Sequence, residues 1–222
     1  MKILVTRPEP GASATAARLA AMGHEPLLAP CLSIRLLTPS LPEKPAALIV
    51  TSGQAVPALP EHLRHVPVFC VGYATGGSLR AAGFSRVESA GGDAGDLFRL
   101  VTARRLPGLH VMAVGERHGL QLASQLRAAG IRVLRRKVYA AQPLRHLPSA
   151  VRGALGQSEI AAALFYSAES ARAFIRLKPG GTAGIEAFAL SPAIAAALEN
   201  LPWRSIRVAL APTEADLMAL IP

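Results

Sequence analysis

The sequence predicts an α/β protein made of two small parallel-sheet lobes that are pseudo-repeats, joined by a two-stranded β-ladder with a cleft beside it. Three observations carry this prediction. Short apolar runs of strand length are each followed at once by a turn and a helical pattern, as in a parallel sheet. The pattern occurs twice: Arg18-Leu19-Ala20-Ala21-Met22-Gly23 returns as Gln125-Leu126-Arg127-Ala128-Ala129-Gly130. Two extended stretches, residues 32–37 and 137–143, hold equivalent places in the two copies and can pair with each other.

In the first copy, Ile3-Leu4-Val5 is a strand and residues 7–11 are a Pro/Gly loop. A helix follows over about 13–22, with Ala16, Leu19 and Ala20 on one face, and Gly23 stops it in the left-handed cap position. Residues 26–29 form a second strand, which runs through Pro30 into the bridge strand 32–37. Residues 38–45, rich in proline, read as a linker. Residues 46–50 are a continuous apolar strand of the kind buried on both faces. Thr51-Ser52-Gly53 opens a short helix that Pro57 and Pro60 cut down. Residues 66–71 are another buried strand, and Gly72-Tyr73-Ala74-Thr75 turns into a helix ending at Gly83. Val87 starts a brief strand, and Gly91-Gly92-Asp93 caps a helix carrying Leu97, Leu100 and Val101.

The second copy opens with a strand over 110–114 and the loop Gly115-Glu116-Arg117. A helix over 120–129 places Leu122, Leu126 and Ala129 on one face and stops at Gly130. A strand over 131–138 then runs into Tyr139. Further on, Ala162-Ala163-Leu164-Phe165-Tyr166-Ser167 matches Ala47-Leu48-Ile49-Val50-Thr51-Ser52, and Phe188-Ala189-Leu190-Ser191 matches Phe69-Cys70-Val71-Gly72. The second bridge strand precedes this last part. Residues 144–222 therefore join 1–34 in a discontinuous lobe, and residues 38–136 form the other. Residues 32–37 and 137–143 link them, with Tyr139 at the hinge.

The chain has 222 residues, 51% hydrophobic and 17% charged, a globular balance that suits one large domain or two small ones. No apolar run approaches bilayer length, and Met1-Lys2 leads straight into a strand without a signal core, so a cytoplasmic location is expected. Cys31 and Cys70 read as buried free thiols. The six histidines have no metal-binding spacing, so no metal is expected. A net charge of +10 points to an anionic partner. The arginines are dispersed and aromatics make up only 5%, which argues against nucleic acid; a plain solvated surface remains the competing explanation.

The candidate binding groups lie in one kind of place. Thr51-Ser52, Gly72 to Thr75, Tyr166-Ser167, Ser191-Pro192 and Pro212-Thr213 each end a strand and begin a helix. Such turns sit at the carboxyl ends of parallel strands, and their free N–H groups suit carboxylates or phosphates. Plain capping competes at each one: Ser191-Pro192 reads as an N-cap with proline at the first helical position, and Thr213 with Asp216 as a capping box. No Walker or Gly-x-Gly-x-x-Gly motif is present. Arg7 follows the first strand in the same layer, where its forked donors could clamp a carboxylate, and Arg117 is a further basic candidate. No Ser-His-Asp set or paired carboxylates stand out. An enzyme of this sequence would work by orienting a reactive substrate.

The ordered series Leu4-Val5-Thr6-Arg7-Pro8, Val50-Thr51-Ser52, Val71-Gly72 with Thr75, Gly91-Gly92-Asp93, Gly115-Glu116, Val138-Tyr139, Tyr166-Ser167 and Pro212-Thr213 resembles the uroporphyrinogen-III synthase family over essentially the whole chain. The resemblance implies two α/β lobes joined by a two-stranded ladder. It implies an enzyme that cyclises hydroxymethylbilane, a linear tetrapyrrole with eight carboxylates, and inverts ring D through an azafulvene and a spiro intermediate. It implies no cofactor and no metal, a monomer, and the enzyme that makes the substrate as a candidate partner. Carried over by motif, Tyr139 assists departure of the substrate hydroxyl. Thr6, Arg7, Thr51, Ser52, Gly72, Thr75, Tyr166, Ser167 and Ser191 fall on substrate-binding positions. One departure is Ser191-Pro192-Ala193-Ile194, where the family often has threonine after Gly-Pro; a side-chain hydroxyl is lost there and backbone donors remain. The alternative reading is a non-catalytic two-lobed cytoplasmic binding protein for a small polyanion.

Overall fold

The computed structural model describes residues 1–222 and divides into two compact units, Met1–Ser33 with Gln142–Pro222, and Ile34–Ala141. In chain order, β1 (Lys2–Val5), α1 (Gly11–Ala21) and β2 (Glu25–Leu28) begin the first unit. β3 (Leu32–Leu36) leads into the second unit, which holds β4 (Ala47–Val50), β5 (Val68–Cys70), α2 (Tyr73–Ala81), β6 (Val87–Ser89), α3 (Ala94–Arg104), β7 (Leu109–Gly115), α4 (Leu120–Ala128) and most of β8 (Arg132–Pro143). The chain then returns to the first unit with α5 (Ser149–Gly156), β9 (Ile160–Phe165), α6 (Ala168–Arg176), β10 (Glu186–Ala189), α7 (Pro192–Leu198), β11 (Ser205–Val208) and α8 (Glu214–Met218).

The first unit is a five-stranded sheet in the order β11-β10-β9-β1-β2, parallel throughout. Its core gathers Ile3, Val5, Leu19, Leu164, Phe188 and Leu217. Phe165, Phe174 and Trp203 form a separate aromatic cluster, with centroids 5.4 to 5.8 Å apart. The indole N–H of Trp203 is satisfied by the Leu198 carbonyl at 2.9 Å. α1 starts earlier than the sequence suggests and buries Ala12, Thr15 and Leu19. Ala20, expected on the buried face, is exposed, because the buried stripe is centred on Ala12, Thr15 and Leu19 and Ala20 falls beyond its edge.

The second unit's sheet runs β3-β8-β7-β4-β5-β6. β4 pairs in parallel with both β5 and β7, and its residues alternate between two cores: Leu48 and Val50 on one face, Ala47 and Ile49 on the other. That is why its sequence is apolar without a break. α4 buries Leu122, Ala123 and Leu126, while Ala129 is an exposed C-cap. The ladder strands are not free-standing. β8 is a twelve-residue strand that pairs in parallel with β7 over its first part, and β3 lies on its other side. The Leu37 N–H bonds the Val138 carbonyl at 2.9 Å, and the Leu144 N–H bonds the Cys31 carbonyl at 3.0 Å, an antiparallel progression.

One irregularity in β8 positions the Tyr139 side chain. Val114 pairs with Lys137, but the next residue, Gly115, pairs with Tyr139, so β8 carries one extra residue there. Such a bulge re-aims side chains. Val138 and Tyr139, adjacent in sequence, both enter the same core cluster.

Candidate functional site

In the first unit, β1 and β9 lie side by side, which brings the residues after them together. Thr6 is fully buried, and its hydroxyl donates to the Leu164 carbonyl at 2.7 Å. It staples β1 to β9, so its side chain does not line the surface as expected from the sequence.

Arg7 is half-buried and stacks over Tyr166, with its guanidinium carbon 4.1 Å from the ring centroid. It also lies across Gly11, where a Cβ would collide with Nε. Burial pulls the Arg7 guanidinium below its ordinary value, and burial pushes the Tyr166 phenol above its own. Tyr166 therefore stays a neutral donor at neutral pH.

These groups converge on Glu214 at the start of α8. Its Oε1 accepts from Thr15 Oγ1 at 2.7 Å, Tyr166 Oη at 3.1 Å and Arg7 Nη1 at 3.4 Å, and its Oε2 pairs with Arg18. Sequence reading named Arg7 and Tyr166 but missed Thr15, Arg18 and Glu214. Arg7 and Glu214 stand 207 positions apart, and no local pattern links them.

The other turns of this unit divide between capping and availability. The Ser167 hydroxyl accepts from the Ser170 N–H at 3.1 Å and caps α6. Ser191 is the N-cap of α7 with Pro192 behind it, but its hydroxyl caps nothing. The expected well-formed cap is thus a cap by backbone only, and this half-buried hydroxyl is left available. At α8 the Thr213 hydroxyl accepts from the Asp216 N–H at 3.1 Å and donates to the Asp216 carboxylate. The reciprocal arm of the expected capping box is replaced, since the Thr213 N–H bonds the Ala211 carbonyl at 2.7 Å.

In the second unit, Thr51 follows β4 and is half-buried, and Ser52 caps a 3-10 turn over Gly53–Ala58 by accepting from the Gln54 N–H at 3.3 Å. Gly72 is the N-cap of α2, and Thr75 is buried within that helix. Tyr73, not singled out from the sequence, is 76% exposed at the first position of α2. A complete capping box at Asp93 and Asp96 starts α3. Arg117 is exposed in the loop after β7.

Tyr139 is only 5% exposed. The bulge turns its ring onto Gly115, where a Cβ would stand 2.7 Å from Tyr139 Cζ and 2.9 Å from His118 Cδ2. Only glycine leaves room for the ring at the carboxyl end of β7. The Tyr139 carbonyl in turn accepts from the Glu116 N–H at 2.9 Å. No three His, Cys, Asp or Glu side chains gather as a metal site would require. Cys31 and Cys70 are free and buried, and burial pushes the Cys31 thiol up to about 12.

Three comparisons bear on this arrangement. A family model described as uroporphyrinogen-III synthase HemD matches residues 13–219. No individually curated protein gives a significant match. Among solved structures, the uroporphyrinogen-III synthetase of Helicobacter pylori is similar at 20% identity and a TM-score of 0.68, covering 99% of this chain and 97% of that one. A mutant uroporphyrinogen III synthase from the extremely thermophilic bacterium Thermus thermophilus is similar at 19% identity and a TM-score of 0.55, covering 99% and 96%. At these identities the structural likeness speaks to the fold, and the family model, which spans nearly the whole chain, speaks to membership.

Proposed function

The chain belongs to the uroporphyrinogen-III synthase family, and on that premise we propose how its residues divide the work of the reaction. It is a cyclising lyase of tetrapyrrole biosynthesis that acts on hydroxymethylbilane. The match to the family model over residues 13–219 is the observation that carries this reading.

The reaction expels the substrate's hydroxyl as water, leaves an azafulvene, and closes the ring through a spiro intermediate that inverts ring D. Nothing is oxidised or reduced. The barrier lies in departure of a poor leaving group and in holding a flexible chain for the less direct closure. Tyr139 serves the first need, its phenol giving a hydrogen bond to the departing oxygen. What supports this is its place at the carboxyl end of β7, where Gly115 clears space for the ring. Arg7, Tyr166 and the free hydroxyl of Ser191 serve the second by holding carboxylates and pyrrole edges in one arrangement. Thr51, Ser52, Gly72 and Ser167 contribute backbone and side-chain donors of their turns, while Thr6 and Thr75 support them from the interior. The protein works in the cytoplasm as a monomer and receives substrate from the enzyme that makes it.

The isomer of the product tests the reaction, and Tyr139→Phe tests the leaving-group assignment. That variant should lose turnover on the order of a hundredfold. Its melting temperature should shift by no more than one hydrogen bond warrants, about 1 kcal/mol. Unchanged kinetics would remove Tyr139 from the chemistry.

A further inference from the structure

The cradle around Glu214 has more donors than a surface ion pair needs. Two guanidinium groups, a phenol and a hydroxyl converge on one carboxylate, three of them on a single oxygen. The donors are fixed without its help. Arg7 is held by the Tyr166 ring and the floor of Gly11, Tyr166 by its place at the end of β9, and Thr15 by the buried face of α1. The carboxylate is the movable part. Glu214 is the first residue of α8, and rotation of its side chain leaves Leu217 and Met218 in the core. The segment before it is exposed, with Leu210 98% accessible. A half-buried guanidinium requires an anion, whichever molecule supplies it.

We propose that Arg7, Thr15 and Tyr166 form a carboxylate subsite whose resting occupant is the chain's own Glu214, and that a substrate side-chain carboxylate takes its place on binding. The inference rests on the reading of a polycarboxylate substrate and adds the site's occupant and the residue that sets its affinity. Glu214 neutralises the cradle's donors in the free protein, and its carboxylate competes with the ligand's. The exchange replaces one carboxylate by another on the same donors, so no bond is made or broken covalently. Substrate groups without negative charge cannot displace it, which makes the subsite selective for acidic side chains over neutral ones.

Sodium acetate is the probe, with sodium chloride at equal ionic strength as control. Thermal unfolding is followed for the wild type, Glu214→Ala, Glu214→Gln and Glu214→Ala combined with Arg7→Met. Acetate should raise the melting temperature of Glu214→Ala in a saturable way, and do little to the wild type and the double variant. If Glu214→Ala does not fold, the isosteric Glu214→Gln carries the same expectation. Acetate with no effect on either single variant, or an equal effect on all four proteins, would overturn the subsite. Steady-state kinetics with hydroxymethylbilane then tests exchange: KM should fall by roughly tenfold in Glu214→Gln, about 1.4 kcal/mol of removed competition. A KM that is unchanged or raised there would make Glu214 a structural brace instead. The acetate measurement stands whether or not the protein proves to be a synthase.

Discussion

His110 near the start of β7 is 1% exposed, and neither ring nitrogen has a hydrogen-bond partner. Burial holds its pKa below the ordinary value; the carbonyls of Gly108 and Arg132 pull the other way but do not reach bonding geometry. The neutral ring is therefore the folded form. Below the unfolded value of about 6.5 the unfolded chain takes up a proton that the folded chain refuses, so stability falls as pH drops toward the lowered folded pKa. Melting temperatures should decline between pH 7.5 and 5.5. His110→Leu, which leaves no polar atom unpaired, should flatten that decline. An equally steep decline in the variant would assign the effect to other groups. Gly11 supplies a second test at this scale. Gly11→Ala puts a Cβ into the Arg7 side chain, whose flexible end can move away cheaply. The variant should keep its melting temperature yet raise KM several-fold, whereas an unchanged KM would take Arg7 out of binding. The sequence could name Arg7 and Tyr166 because each follows an apolar strand. It could not name Glu214, because the contact depends on β1 and β9 being neighbours and on a helix that follows β11.

Among the elements, β8 matters most to the role proposed for Tyr139. Its single extra residue opposite Gly115 decides where Tyr139 points. Gly115→Ala forces the ring or the strand to shift and should cost about 1–3 kcal/mol of stability as overpacking, together with most of the turnover. A fully active, fully stable Gly115→Ala protein, read by denaturant melts and kinetics, would show that the contact is slack. The bulge itself was not legible, since it is a property of the register between two strands and leaves no mark in either one. β4 was legible because both of its faces are buried, and α3 because Gly91-Gly92-Asp93 announces its start. α5 was not expected: its eight residues include two glycines, and its buried set of Val151, Ala154 and Leu155 is too short to show a period.

At the scale of the molecule, the duplicated strand–turn–helix pattern made the two parallel-sheet units readable, and the chain's return to the first unit followed from the position of the second bridge strand. The same scale explains the charge. A protein of net charge +10 acting on a polycarboxylate gains from long-range attraction that salt screens. The value of kcat/KM should therefore fall as ionic strength rises, and a flat salt profile would mean that the charge serves something else. The product isomer decides whether the protein catalyses the synthase reaction. Freshly prepared hydroxymethylbilane is mixed with the wild-type protein, the products are oxidised, and the type I and type III porphyrins are separated. The product should be mostly type III. Type I alone, the isomer that forms spontaneously, from protein shown to be folded would contradict it and leave a two-unit protein that binds polyanions without transforming them.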